Sequence, residues 1–143
     1  MKSHYRAVVI GGGVIGASTL YHLAKMGWND VVLVEKIEYT SGSTWHAAGL
    51  LPLFNMSYSV GKIHKYSVDL YQSLEEETGQ HVSFHKTGNL RLARNQERMD
   101  EYKRYCGTAS TIGVPFEMIG PAEIKKLWPF AKVDDLVGAL YHP

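Results

Sequence analysis

The chain holds one cysteine, Cys106, so no internal disulfide can form. That thiol reads as a small apolar filler on a helix face, and its isolation points to a reducing compartment. No apolar run reaches the ~18 residues that a membrane-spanning helix needs. Charge of neither sign dominates: 15 Lys and Arg stand against 14 Asp and Glu, for a formal net charge of +1. This removes the electrostatic case for nucleic acid or an anionic membrane surface as a partner. There is no internal repeat, no low-complexity tract and no Gly/Ser linker. The first residues, MKSHYRAVVIGGGVIGAS, are too short in apolar stretch and too broken by glycine to be a signal peptide. With no transit segment ahead of them, the expectation is a mature, intracellular chain.

What is present is ordinary globular composition, 45% apolar and 20% charged over 143 residues, about one domain. YRAVVI, ending at Gly11, reads as a buried strand. Val14, Ala17, Leu20, Tyr21 and Ala24 recur at helical steps, and Gly27 suits the C′ position. DVVLVE is a second continuous apolar strand, of the kind covered on both faces. These three pieces predict a β-α-β unit. A short helix is expected around 44–51, stopped by Pro52. A long amphipathic helix from Ser57 to Thr78 would carry Val60, Ile63, Ser67, Leu70, Tyr71 and Leu74 on one face, end at Gly79, and leave Glu75 to Glu77 in solvent. VSFHKTGNLRLA reads as two short strands around a turn, with Leu90 and Leu92 alternating with Arg91 and Ala93. Asn95 caps a helix that buries Met99, Tyr102, Cys106 and Ala109 and fades near Gly113. PFEMI is a strand, Pro121 opens a short helix before Pro129, and VGALYHP begins another strand.

The specific signal is Gly11-Gly12-Gly13-Val14-Ile15-Gly16, a G-x-G-x-x-G that follows a strand and opens a helix, with Glu35 at 19 residues past Gly16. Gly11 allows the tight turn, Gly13 lets the backbone approach a pyrophosphate, and Gly16 lets helix and strand pack closely. The helix N-terminus offers free N–H groups and partial positive charge to the phosphates. Glu35 can accept from ribose hydroxyls and disfavours a 2′-phosphate, which argues against NADP. The motif does not separate FAD from NAD.

Next comes SGSTWHAAGL, Ser41 to Leu50. Ser43 and Thr44 bring hydroxyls and N–H groups suited to a second set of phosphate contacts. Gly42, Ala47, Ala48 and Gly49 leave room for a large flat group. From the residues alone His46 is a packed or capping residue, a base, a metal ligand or a covalent anchor. No residue stands at metal-ligand spacing from it, and His64, His81 and His85 read as surface or packing residues.

GGGVIG, VEK, SGSTWHAAGL, LEEETGQ, TGNLRLA and ALYHP together resemble the N-terminal part of the dimethylglycine dehydrogenase and sarcosine dehydrogenase family, within the D-amino-acid-oxidase-like flavoenzymes. The resemblance runs from about Tyr5 to the last residue and leans towards dimethylglycine over sarcosine. It implies FAD carried covalently on His46 through a ring nitrogen bonded to the 8-methyl carbon. It also implies FAD contacts from Val14 and Ile15, from Glu35 and Lys36, and along Gly42, Ser43, Thr44, Trp45, His46, Ala47, Ala48, Gly49 and Leu50. Trp45 is equally a shield for the flavin or part of the core. The implied reaction is oxidative N-demethylation of a small N-methyl amino acid. Electrons would pass to a carrier flavoprotein or to oxygen, and tetrahydrofolate could capture the one-carbon unit in a C-terminal domain beyond this chain.

The expected fold is α/β: an incomplete Rossmann-like FAD-binding domain over 1–94, then the start of an α+β substrate domain over 95–143. The chain is expected to be a fragment of a longer enzyme, inactive alone. Its expected compartment is a bacterial cytoplasm, or the mitochondrial matrix in a eukaryote. The rivals are an NAD-binding dehydrogenase domain, a non-catalytic regulatory subunit on the same fold, and the same fold holding FAD without a bond. Sarcosine and 4-methylaminobutyrate are the alternative substrates.

Overall fold

Glycine and β-branched residues divide the first fifty positions as the pattern requires. In the computed structural model, which describes residues 2–143, β1 (Ala7–Ile10), α1 (Val14–Lys25) and β2 (Val31–Val34) follow one another. The strands pair in parallel, Ala7 opposite Val31 and Ile10 opposite Val34. Parallel neighbours need a crossover, and α1 supplies it. Gly27, at φ +83, ends the helix in the left-handed conformation expected of it. Both strands were expected to be covered on both faces; instead Val8 and Ile10 are exposed and β2 is at best half-buried. The expected stripe on α1 is likewise half covered: Leu20 and Tyr21 are partly buried, whereas Val14, Ala17 and Ala24 are exposed.

The chain divides into two compact units, Met1–Leu50 and Leu51–Pro143. This break lies well before the 94/95 boundary expected from the sequence, because the strand before residue 95 pairs with one after it. The second unit holds α2 (Tyr58–Thr78), β3 (Asn89–Ala93), α3 (Gln96–Ile112), β4 (Glu117–Ile119), α4 (Pro121–Leu127) and β5 (Gly138–His142). Its sheet is antiparallel in the order β3-β5-β4, with Asn89 opposite His142 and Glu117 opposite Tyr141.

Helix ends follow their caps. Ser57 accepts from the Val60 N–H and Gly79 closes α2 at φ 69. Asn95 accepts from the Arg98 N–H at 2.9 Å, and Gly113 closes α3 at φ 72. Tyr102, Cys106 and Ala109 are buried with Phe54, Ala93, Val114 and Leu140 in one cluster, while Ile124, Ala131 and Ala139 form another. Full burial of side chains such as Leu140 and Ile124 stabilises by ~1.5–3 kcal/mol each.

One expectation fails here and two hold only in part. The hairpin in 82–93 does not form: Ser83 sits at φ 52, residues 81–88 have no regular structure, and β3 finds its partner in β5. Both faces of β3 are partly covered: Ala93 is fully buried and Leu90 packs against Ile124, Ala131 and Ala139, while Leu92 is exposed. Arg91 is half-buried, its guanidinium donating to the Phe54 carbonyl at 3.1 Å. The stripe expected on α2 holds over its later part, where Ser67, Leu70, Tyr71 and Leu74 are partly buried beside the buried Val68, and fails at its start, where Val60 and Ile63 are exposed and Gly61 is buried instead. Gly61 packs close to α3, since a Cβ there would lie 2.8 Å from Ile112 Cδ1.

Candidate functional site

The first turn is built by its glycines in three different ways. Gly11 adopts φ +106, a region that side chains disfavour. A Cβ on Gly16 would lie 1.8 Å from the Gly11 carbonyl oxygen, so α1 can start this close to β1 only without one. Gly12, which the motif leaves unspecified, is buried, and a Cβ there would meet Tyr39 Cδ1 at 2.4 Å and Glu35 Cβ at 3.2 Å. Gly12 and Tyr39 thus form a close packing contact at the turn that sequence reasoning passed over; the middle glycine of the GGG run was the available signal.

Glu35 ends β2 facing this turn. Its Oε2 accepts from the Gly12 N–H at 2.6 Å, and its Oε1 accepts from the Lys36 N–H at 2.7 Å and the Ile37 N–H at 3.1 Å. These N–H groups, Gly12 foremost, hold the carboxyl below its usual pKa. A carboxylate offers about four acceptor positions, so one remains for an outside donor such as a ribose hydroxyl. Lys36 donates its backbone N–H to Glu35, and the charge of its exposed side chain adds a smaller lowering of the Glu35 pKa.

The Ser41–Leu50 loop reaches the same turn through Thr44. Gly13 is the N-cap of α1 and has no side chain to offer, and Thr44 Oγ1 supplies the missing acceptor by taking the Val14 N–H at 2.9 Å. The Thr40 N–H adds a second tie, to the Gly12 carbonyl at 3.0 Å. The expected helix over 44–51 is absent: residues 39–46 form successive turns and 47–50 have no regular structure. Thr40 at φ 66 and Gly49 at φ 71 break a helical path on either side. Trp45, at 77% exposure, is not part of a core, and Ala47, Ala48, Gly49 and Leu50 are exposed as well.

His46 is exposed, and its Nδ1 lies 3.1 Å from the Gly42 carbonyl oxygen. A carbonyl only accepts, so Nδ1 is the donor in that contact and Nε2 is the ring nitrogen it leaves unengaged. His46 is two residues from Thr44, so its Cα lies within about 7 Å of the Thr44 Cα.

The other histidines do not join this site. His64 Nδ1 meets the Pro52 carbonyl at 3.2 Å, and His81 Nδ1 meets Glu75 at 2.8 Å. Among the described residues no group of three His, Cys, Asp or Glu side chains could hold a metal, and no helix is long and apolar enough to cross a membrane.

The site therefore combines a helix N-terminus, whose Ile15 and Gly16 N–H groups have no intrahelical acceptor, a half-engaged carboxylate, and a tethered loop presenting an imidazole. A dinucleotide fits this set: anionic phosphates at the helix end, a ribose at Glu35, a flat ring over small residues.

The chain is similar to several known proteins. The profile of the FAD dependent oxidoreductase (DAO) family matches residues 6–143. Mitochondrial dimethylglycine dehydrogenase of Rattus norvegicus is 46% identical over 142 residues, 99% of this chain and 17% of that protein. Mitochondrial sarcosine dehydrogenase of Homo sapiens is 44% identical over 100% of this chain and 16% of that protein. The mitochondrial pyruvate dehydrogenase phosphatase regulatory subunit of Mus musculus is 41% identical over 100% of this chain and 16% of that protein. Among solved structures, L-proline dehydrogenase from P. horikoshii superposes with a TM-score of 0.91 at 31% identity, covering 100% of this chain and 37% of that one. The chain thus spans about one sixth of the length of the curated relatives it matches.

Proposed function

Because the chain belongs to the FAD-dependent oxidoreductase family, we propose that the protein it comes from binds FAD on this turn and loop, carries it covalently on His46, and oxidatively demethylates a small N-methyl amino acid. Dimethylglycine is the first candidate, with sarcosine and 4-methylaminobutyrate as alternatives. The observation that carries the reading is the hydrogen bond from the Val14 N–H to Thr44, which ties the loop to the glycine turn, with His46 exposed two residues beyond.

Each residue has a task. The N–H groups of Ile15 and Gly16, at the positive end of α1, hold the diphosphate. Thr44 accepts from Val14 and keeps its own O–H to donate to a phosphate oxygen. The open acceptor position of Glu35 takes an adenosine ribose hydroxyl. His46 Nε2 bonds the 8-methyl carbon, and Ala47, Ala48 and Gly49 leave space for the ring. When bound, the flavin supplies a two-electron sink for oxidation of a C–H bond next to nitrogen. The oxidised substrate hydrolyses to formaldehyde and the demethylated amine, or passes its carbon to tetrahydrofolate where a folate domain is attached. A carrier flavoprotein or oxygen takes the electrons. The protein works in a bacterial cytoplasm or, in a eukaryote, the mitochondrial matrix.

A second reading has its own support: the 41% identity to a regulatory subunit means that the same segment occurs in a protein named for regulation. In that reading the flavin site is kept and turnover is absent.

Intact mass of the full-length protein after denaturation tests cofactor and linkage together. An added mass equal to FAD less two hydrogens, on the peptide containing His46 and absent in His46→Ala, supports the reading; its absence in the wild type refutes the covalent part. Turnover with dimethylglycine, sarcosine or 4-methylaminobutyrate separates enzyme from regulatory subunit.

A further inference from the structure

From Ser41 to Leu50 every residue is exposed except Thr44, which is half-buried. Its hydroxyl is the side-chain tie from this loop to the phosphate turn, reaching Val14 across 30 positions of sequence. Gly13 makes room for it, since a Cβ there would lie 3.0 Å from Thr44 Oγ1. Around Thr44 the loop is stiff. The Trp45 N–H meets the carbonyls of Thr40 at 3.1 Å and Gly42 at 3.2 Å, and the N–H groups of His46 and Ala47 meet the carbonyls of Ser43 and Thr44, each at 3.2 Å. The His46 ring is fixed to Gly42 in the same turn.

We propose that Thr44 is the positioning residue for covalent attachment: it registers this stiff turn on the N-terminus of α1, so that His46 meets the far end of the dinucleotide whose phosphates the same helix holds. The inference rests on the reading of His46 as the attachment point. It goes beyond a phosphate contact, because a phosphate contact alters how tightly FAD binds. Registration alters how fast bound FAD becomes linked. In the net linkage the imidazole N–H and one methyl C–H are replaced by a C–N bond. The two hydrogens, with their electrons, leave through the flavin to dioxygen as hydrogen peroxide. Such a bond-forming step is steeply sensitive to placement, with ~10²-fold lost for a misplacement of about 1 Å. The other backbone tie, at Thr40, lies six residues before His46 and leaves more slack than Thr44, two residues before it.

The test uses the full-length protein produced without flavin and then given FAD. Acid-stable flavin is followed in time at saturating FAD, and FAD affinity is measured separately by quenching of flavin fluorescence. Thr44→Val, which keeps the shape and loses the hydroxyl, should link about tenfold more slowly at saturation, whereas Thr44→Ser should stay within about twofold of wild type. Thr44→Ala is the second hydroxyl-free variant, and FAD binding by either shows that it has folded. Linkage by Thr44→Val at the wild-type rate overturns the proposal, as does a defect that vanishes when FAD is saturating. If the wild type holds no acid-stable flavin, or His46→Ala retains it, the His46 reading falls and this inference with it. A normal His46 linkage with an indifferent Thr44 sinks this inference alone.

Discussion

Replacing Gly16 by alanine sets two effects against each other. Gly16 is the third residue of α1, and in a helix alanine is favoured over glycine by ~1 kcal/mol. The added Cβ, however, would stand 1.8 Å from the Gly11 carbonyl oxygen, where contacts under 3.0 Å are essentially never seen, so helix and turn must part by about 1.2 Å. Overpacking costs ~1–3 kcal/mol and more where the obstacle cannot swing aside, and here it is backbone. The expected net loss is ~2 kcal/mol or more, concentrated at the phosphate turn, which corresponds to about a 30-fold fall in dinucleotide affinity. Two further Gly→Ala changes calibrate the result. Gly107 lies in α3 with nothing within 4 Å of its would-be Cβ, so alanine there should stabilise by ~0.5–1 kcal/mol. At Gly61 the obstacle is the flexible end of Ile112, so the change should fall between the two. The assay is flavin content of the purified full-length protein together with its urea midpoint. A Gly16→Ala variant with wild-type flavin content and midpoint refutes the reasoning, and so does a Gly107→Ala variant that is equally damaged.

Further outcomes follow from the same structure. Burial pushes the Cys106 thiol up, which lowers its thiolate fraction, so iodoacetamide at pH 8 should modify it slowly in the native protein and quickly in denaturant. Glu35 has a folded pKa below 4.5; its stabilising effect is therefore complete above the unfolded value and lost as pH falls through the folded one, and carboxyl NMR should give a midpoint under 4.5 that Glu35→Gln removes. His142 is pushed below 6.5 by burial and by Lys86, so the folded state resists its protonation; stability should fall as pH drops from 6.5, and His142→Gln should flatten that part of a melting-temperature profile. Asn95→Ala should cost ~1 kcal/mol by removing the cap on Arg98, measured as a lower urea midpoint, whereas Asn95→Asp should cost far less.

What could be read from the sequence was local. The β-α-β unit shows in residue order because turn, helix periodicity and second strand adjoin, and the caps Ser57, Asn95 and Pro121 act within four residues of their own position. What escaped was set at a distance. The partner of β3 lies about fifty residues on, in β5, and no turn signal announces it. Val82 and Phe84 have strand-like composition, but Ser83 at φ 52 turns the backbone out of a ladder. The stripe on α2 told its packed side from Ser67 to Leu74 but not at its start, where Gly61 lies against Ile112 and Val60 and Ile63 are exposed. At the site, the residue types were legible and their ties were not. Thr44 looked like a phosphate donor, and its engagement with Val14 appears only once the chain is folded. Glu35 looked like a free ribose acceptor, and it already serves three N–H groups.

The inner position of β5 fixes an order of events during synthesis. β3 and β4 flank it and pair only with it, so both are made before the strand that will hold them apart. Until residues 138–142 have cleared the ribosomal tunnel, two ribbons wait with bare ladders while their helices have already begun to coil. A stall in translation just short of Gly138 would therefore leave this unit open to chaperones and proteases.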